Sequence, residues 1–177
     1  GELMFTHFGV SGPLVLSASA HMRDFSNKKY RLSIDLKPGL DNSQLDARIL
    51  RDFGEYKNRE FKNSLDKLSA KKMIPVLVEK SGIPGELKVN SVTKAQRKQL
   101  VDLFKNFNIS IYDALDISTA IVTAGGIDTA SIDPRSMQSK LVTGLFFAGE
   151  IIDIDAYTGG FNLQIAWSTA RMAGLHV

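Results

Sequence analysis

Apolar residues between positions 42 and 107 recur three and four residues apart, the spacing that places side chains on one face of an α-helix. Four such stripes are present, formed by Leu45, Ile49 and Phe53, by Phe61, Leu65 and Leu68, by Met73, Val76 and Leu77, and by Leu100, Leu103, Phe104 and Phe107. Ser69 and Thr93 precede the last two stripes as predicted helix caps, and Gly82 is predicted to end the third helix. The pattern predicts a small helical module with an apolar interior.

Two further elements are predicted before this module. The segment Ser11-Gly12-Pro13 is typical of a helix start, with Ser11 as the cap, and this helix is expected to run to about Arg23. Residues 30–36 then alternate between apolar and polar side chains, which is the period of a half-buried strand, and a Pro-Gly pair ends the alternation.

The pattern changes after about residue 108. Short runs rich in β-branched or aromatic residues predict strands at 108–112, 119–124 and 145–148. A loop of glycines and acidic residues follows the last of these, and a final helix is predicted from about Gly160 to Gly174. A strand, a glycine-bearing loop and a helix in this order present the amino end of the helix to a ligand in α/β proteins.

These elements predict an α/β fold, or an α+β fold if the chain is part of a longer protein. Residues 1–19 and 108–177 are expected to pack together. The absence of cysteine excludes thiolate metal sites and disulfides, and three widely spaced histidines predict no metal site. No apolar run is long enough to span a membrane and no signal peptide is recognised, so a cytoplasmic location is expected.

Charge is distributed unevenly along the chain. Residues 20–112 contain 19 Lys and Arg against 11 Asp and Glu, whereas residues 113–177 contain 3 against 7. A basic helical face raises the alternative that the chain is a stand-alone binding or interaction module. However, acidic residues are interleaved with the basic ones and no nucleic-acid motif is present, so a solvated face is favoured over a nucleic-acid surface.

The segment 149–163 is the candidate site. Gly149 follows a predicted buried strand and lets a ligand approach the backbone, and Glu150 and Asp153 can accept hydrogen bonds from hydroxyl groups. Gly159 and Gly160 open a helix whose first amides lack partners, so the helix dipole favours an anionic group there. The amides concerned belong to Gly160, Phe161, Asn162 and Leu163. The spacing of these residues alone is equally consistent with a ligand site and with a glycine-rich turn whose acidic side chains are solvated.

Four segments, 2–13, 120–126, 132–141 and 144–166, resemble the bacterial NAD(P)/FAD-dependent oxidoreductase family, which includes aminoacetone-oxidase-like and bile-acid-reductase-like flavoproteins. The resemblance implies a discontinuous FAD domain of the two-dinucleotide-binding-domain type. In such a protein residues 1–36 would be the end of an inserted β-rich domain, residues 37–112 a basic helical module, and residues 113–177 the carboxy-terminal part of the FAD-binding domain. The middle of the chain resembles the family only in its basic helical character and in its position in the sequence.

The resemblance also implies roles for the candidate residues. Gly149, Glu150 and Asp153 would lie near the pyrophosphate and ribitol of FAD, and the amides of Gly160 to Leu163 would face the pyrimidine edge of its ring system. NAD(P)H is a candidate electron donor. The G-x-G-x-x-G motif of a dinucleotide-binding unit does not occur in these residues, so FAD binding by this chain alone is expected to be weak or absent and the isolated chain inactive.

Other expectations concern residues outside that segment. Amines, ketones and steroid-like enones all remain open as substrates, and no catalytic residue is assigned. Among the aromatic residues around the last helix, Tyr157 is the stronger candidate to face a ligand, whereas Trp167 is expected in the core. His7 is expected to be a buried structural histidine. Without the rest of the FAD domain, an apolar face of the chain would be exposed to solvent, so self-association of the chain is expected.

Overall fold

A computed structural model describes all of residues 1–177 and shows five α-helices and two small antiparallel sheets. The elements in chain order are β1 (Met4–Phe5), β2 (Val10–Ser11), α1 (Pro13–Ser19), β3 (Tyr30–Ile34), α2 (Asn42–Glu55), α3 (Ile74–Ser81), α4 (Lys94–Lys105), β4 (Phe107–Ile111) and α5 (Phe161–Gly174). Six single 3₁₀ turns occur between them, at Phe61–Asn63, Lys71–Met73, Val89–Ser91, Ile117–Thr119, Thr129–Ser131 and Gly149–Ile151. The mixed fold class expected from the sequence is confirmed.

The chain forms two compact units. The helical unit comprises residues 30–111, and the terminal unit combines residues 1–29 with residues 112–177. The expected packing of residues 1–19 with the carboxy-terminal part is therefore confirmed for residues 112–177, whereas residues 108–111 belong to the helical unit. The proposed division at residues 36 and 112 into three functional parts stays a prediction.

The helices of the helical unit begin where short polar side chains cap them. Asp41 accepts the amide hydrogen of Gln44 at 2.8 Å while the Gln44 side chain accepts that of Asp41, and Thr93 and Gln96 form the same reciprocal pair at the start of α4. The third helix, α3, ends at Gly82, which has a left-handed backbone as predicted. Local sequence thus sets the ends of these helices.

One apolar cluster holds the helical unit together. Strands β3 and β4 pair from Tyr30 opposite Ile111 to Ile34 opposite Phe107, and alternate residues of the pair face the interior. The helices and the turns between them cover that face, and the almost completely buried side chains of the resulting core are Leu45, Ile49, Phe53, Phe61, Leu65, Leu68, Leu77, Ile83, Val89, Leu100, Val101, Phe104 and Phe107. Three of the four predicted stripes contribute most or all of their members to this core.

Three predictions of local structure in these regions are wrong. Residues 61–68 form a 3₁₀ turn and further turns rather than a helix, and the amides of Phe61 and Lys62 tie this segment to the carbonyls of Leu87 and Gly85. Ser69 caps no helix, since the 3₁₀ turn at Lys71–Met73 leads directly into α3. Helix α1 stops at Ser19 and Gly12 rather than Ser11 is its cap residue.

The terminal unit lacks the strands predicted at 119–124 and 145–148. The first segment follows a 3₁₀ turn, and the second makes only one isolated bridge, from Phe146 to Gln138. Short apolar runs become strands only where neighbouring strands pair with their backbone, and these residues have none within the chain. A small cluster of Ile132, Met137, Ile152 and Ala173 is the buried centre of this unit.

Candidate functional site

The turn at Gly149–Ile151, called the Gly149 turn below, packs against the middle of α5. Gly149 has a φ of 77°, and its amide donates to the Thr169 hydroxyl at 3.0 Å. A Cβ on Gly149 would lie 3.8 Å from the Ala166 side chain, which is ordinary contact, so the positive φ rather than crowding favours glycine here. The Glu150 side chain is exposed and makes no ion pair.

Asp153 lies where a second glycine-containing segment meets the Gly149 turn. Ile127 and Ile152 form a parallel bridge, with the Ile127 amide donating to Ile151 and the Asp153 amide donating to Ile127. The Asp153 carboxylate accepts the amide hydrogen of Gly125 at 3.0 Å. Gly126 passes so close that a Cβ would lie 2.3 Å from the Ile151 carbonyl oxygen. Asp153 therefore holds the backbone of residues 125–127 in place.

The amino end of α5 carries no side-chain cap. Gly160 is the cap residue with a left-handed backbone, φ 85°, and Gly159 before it has φ 123°. The first helical hydrogen bond runs from the Gln164 amide to the Gly160 carbonyl, so the amides of Phe161, Asn162 and Leu163 precede the helical ladder. The end of the helix consequently offers amide hydrogens and the positive end of its dipole.

Side chains at this helix end divide into two kinds. Phe161 and Leu163 are exposed. The Asn162 side chain instead bonds the backbone of Ala156 twice, because its oxygen accepts the Ala156 amide at 2.8 Å and its nitrogen donates to the Ala156 carbonyl at 2.9 Å. Asn162 thereby fixes the loop that precedes the helix, a role that the sequence pattern did not indicate.

That loop and the segment after α1 line a pocket of about 430 Å³ that is open to solvent. The Tyr157 hydroxyl lies 2.7 Å from Nε2 of His21, and Arg23 binds the Asp155 carboxylate at 3.1 and 3.3 Å. The walls of the pocket are formed by Ala20, His21, Arg23, Asp155, Ala156, Tyr157 and Phe161. Phe161 is also the first residue of α5, so the pocket adjoins the uncapped helix end.

The His21–Tyr157 pair was missed at the sequence level. The two residues lie 136 positions apart, no motif surrounds His21, and only the packing of the two chain ends brings them together. Two other expectations are wrong. His7 is exposed beside Phe8 rather than buried, and Trp167 is 64% exposed rather than part of the core.

The structure brings part of the predicted site together. Tyr157 and residues 159–163 meet at one end of α5, whereas Gly149 lies against Ala166 and Thr169 further along the same helix. No group of three or more histidine, aspartate or glutamate side chains is arranged to hold a metal ion. None of the five helices combines the length and the apolar character needed to cross a bilayer.

Comparison with known proteins links this fold to a described family. The family described as "HI0933-like protein barrel and H2TH domain" matches residues 1–122. The chain is 32% identical over 176 residues to a ribosomal RNA dihydrouridine synthase of Haemophilus influenzae, covering 99% of this chain and 42% of that protein.

Two further relatives carry different names. A 3-dehydro-bile acid delta(4,6)-reductase of Clostridium scindens is 30% identical over 176 residues, covering 98% of this chain and 43% of the relative. A ribosomal RNA dihydrouridine synthase of Escherichia coli is 30% identical over 169 residues, covering 96% and 40%. The chain thus spans about two fifths of the length of the curated relatives it matches.

Proposed function

The chain belongs to the HI0933-like family, and we propose that it forms part of a flavin-dependent reductase that saturates a carbon–carbon double bond conjugated to a carbonyl group. The names of the relatives support this class of reaction. Dihydrouridine is uridine whose carbonyl-conjugated ring double bond has been saturated, and a delta(4,6)-reductase of a 3-dehydro-bile acid acts on double bonds conjugated to its ketone. These substrates differ greatly in size, so we transfer the shared chemistry first.

The residues at the amino end of α5 suit an electron-rich group. FAD is the proposed cofactor, and when bound and reduced it supplies hydride to carbon, with NAD(P)H as the proposed source of electrons. No side chain competes for the first amides of α5, and Gly159 and Gly160 leave no side chain over them. The helix dipole would stabilise negative charge on a group bound there by about 1 kcal/mol.

The reaction also needs an acid. Hydride adds to the β-carbon, the electron pair of the double bond moves towards the carbonyl oxygen, and a proton must then reach the α-carbon. Tyr157 is the acid that this chain offers, and His21, 2.7 Å from the phenol oxygen, can return the proton to it. This pair carries the proposal, because it lines the pocket that adjoins the uncapped end of α5.

The remaining predicted residues have supporting roles in the proposal. Gly149 and Glu150 are proposed to lie beside the pyrophosphate and ribitol, as the resemblance implies, with the exposed Glu150 carboxylate free to accept hydroxyl hydrogens. Asp153 has one oxygen engaged by Gly125, so it orients the backbone near the cofactor in addition to any hydroxyl contact. The Asn162 side chain keeps the loop carrying Tyr157 in position.

We further propose that the adenosine half of FAD is held by a dinucleotide-binding unit outside these 177 residues. Exposed apolar side chains of the terminal unit, such as Leu141, Leu163 and Trp167, support a covering partner of that kind. This chain, incubated with excess FAD and desalted, should then show no flavin absorbance. A stoichiometric flavin spectrum would mean that no second unit is needed.

The central test replaces Tyr157 by Phe in the flavin-loaded full-length protein that contains this sequence. The variant should keep its flavin spectrum and its rate of flavin reduction by NAD(P)H. The subsequent oxidation of the reduced flavin by an enone substrate should slow by about 10²- to 10⁴-fold, the range for removing a general acid. Stopped-flow absorbance separates these two steps, and the solvent isotope effect on the second should change.

Tyr112→Phe provides the matched control. Tyr112 lies in the same unit, is 87% exposed and does not line the pocket, so its replacement should leave both steps unchanged. Equal effects of the two substitutions, or an unchanged oxidation step in Tyr157→Phe, would show that Tyr157 is not the proton donor.

A further inference from the structure

We infer that the helical unit binds the phosphate backbone of RNA through a surface made of residues 56–59 and 87–98, called the lysine surface below. This inference deepens the proposed function, on which it rests, because it selects RNA over a small steroid-like acid as the substrate class. It is carried by four exposed lysines that make no ion pair and by the engagement of the nearby acids by other cations.

Two chain segments meet to form the lysine surface. Residues 57–62 run antiparallel to residues 85–90, with Glu60 and Lys88 bridged across the pair. The Val89 amide donates to the Arg59 carbonyl at 3.0 Å, and the Asn90 amide donates to the Lys57 carbonyl at 3.3 Å. The 3₁₀ turn at Val89–Ser91 then leads into α4, which Lys94 opens. Lysines distant in sequence are thereby gathered around one turn.

The ion pairs of the helical unit leave these lysines unneutralised. The unit has 16 Lys and Arg against 10 Asp and Glu, and most of the acids are engaged by cations other than the four lysines. Glu55 binds Lys67, Asp46 binds Arg97, and Asp35 binds Lys105. By contrast, four exposed lysines of the lysine surface make no ion pair: Lys57, Lys88, Lys94 and Lys98.

Acids are few on this surface. No Asp or Glu occurs in residues 87–101 or in residues 56–59. Glu60, opposite Lys88, is already engaged by Lys62 and by the Asn63 amide group. The charge of Lys94 contributes to the lowered pKa of Asp46, but the main cause of that shift is the hydrogen bond from Arg97, which occupies both carboxylate oxygens. This explains why the interleaving of charges along the sequence understated the basic character of the face.

The remaining groups suit a polynucleotide. Asn58, Asn90 and Ser91 add uncharged hydrogen-bonding groups beside the lysines, and the Arg59 guanidinium lies 3.9 Å from the centre of the Tyr56 ring. An open groove of about 470 Å³ runs along residues 54–59. Lysines spaced along a surface bind successive phosphates, whereas a small substrate with one carboxylate needs only one cation. The geometry therefore favours RNA, the substrate class in the names of two relatives.

The test measures binding of a fluorescein-labelled RNA stem-loop to the whole 177-residue chain by fluorescence anisotropy, between about 50 and 200 mM salt. Lys88→Gln together with Lys94→Gln should weaken binding and lower the slope of log Kd against log salt by about 1.4 to 1.8, because two phosphate contacts are lost. The control, Lys71→Gln together with Lys72→Gln, removes the same charge from another exposed segment that also makes no ion pair, and should leave the slope unchanged. Far-UV circular dichroism checks that both variants are folded.

Three results would overturn the inference: no binding of the RNA at about 50 mM salt, equal loss of binding in both double variants, or equal affinity for polyglutamate as a polyanion that is not a nucleic acid. The assay needs no flavin. A chain that binds RNA through these lysines while its full-length form fails the Tyr157 test refutes the reductase proposal alone. If the reductase is active but the lysine surface does not bind RNA, this inference alone is refuted.

Discussion

The two units of this chain differ in how far their apolar side chains are buried. The helical unit contains 13 of the 17 buried apolar residues, whereas the terminal unit contains 20 of the 22 large apolar residues that are exposed. Two exposed residues of the helical unit, Leu50 and Val76, are the exceptions. A single exposed apolar side chain is ordinary on a protein surface, but this concentration in one unit is not.

This difference indicates which unit forms a complete apolar core from its own residues. The helical unit has a core of its own, capping boxes at two of its helices and one antiparallel pair of strands, so its structure follows from its own residues. The terminal unit has a core of four buried residues and depends on loop hydrogen bonds such as Asp153 to Gly125. Under the proposed function, we expect its exposed apolar side chains to contact the rest of the flavoprotein.

The largest expected effect comes from the same truncation in the two units. Phe104→Ala removes a fully buried ring from the core of the helical unit and should lower the free energy of unfolding by about 3 to 5 kcal/mol. Phe8→Ala removes a ring that is 55% exposed in the terminal unit and should change it by less than about 0.5 kcal/mol. Urea unfolding, followed by circular dichroism and by the fluorescence of Trp167, gives both values. Similar losses in the two variants would mean that the contrast between the units is not energetic.

The same contrast decides what the sequence could predict. Thr93 and Gln96 mark the start of α4 by themselves, and the alternation of residues 30–36 is enough to indicate β3, because capping and pleating are local. The predicted strands at 119–124 and 145–148 failed because strand formation requires partner strands, which the runs themselves do not encode. The error at Trp167 has the same origin, since a large aromatic residue indicates a core only if a covering element is present.

The candidate site shows a similar limit. The glycines before α5 and the uncapped amides of this helix could be predicted from the sequence, because they depend on adjacent residues. The His21–Tyr157 pair and the tie of Asn162 to Ala156 were not readable, since each depends on how a loop folds back in three dimensions. The lysine surface depends in the same way on which acids the ion pairs engage.

A smaller effect tests whether the terminal unit has specific packing of its own. Gly126→Ala places a Cβ 2.3 Å from the Ile151 carbonyl oxygen, which the parallel bridge at Ile127 cannot accommodate without moving. The variant should lose about 1 to 3 kcal/mol in the Trp167-detected transition, the usual cost of overpacking. Gly9→Ala is the matched control, because Gly9 has nearly the same φ, 153° against 148°, with open space around it. If both variants lose the same amount, backbone strain rather than close packing at Ile151 is responsible.

The smallest expected effect concerns the ion pairs that set the lysine surface apart. Arg97 binds Asp46 through two hydrogen bonds of 2.6 and 3.2 Å, and this contact lowers the pKa of the Asp46 carboxyl in the folded protein. A lowered folded pKa stabilises the fold above the unfolded value of about 4, and this stabilisation is lost as the pH falls through the folded pKa. Asp46→Asn should therefore cost about 0.5 to 1 kcal/mol at neutral pH, reduced by the solvent exposure of the carboxylate.

The pH dependence distinguishes the ion pair from a packing effect. The difference between Asp46→Asn and the wild type, measured by urea unfolding, should be constant above about pH 5 and shrink below about pH 4, since the wild-type carboxylate is then protonated too. Asp102→Asn, on α4 but without an ion pair, should unfold like the wild type throughout. A loss for Asp46→Asn that persists in acid would mean that Arg97 is held by its packing rather than by charge.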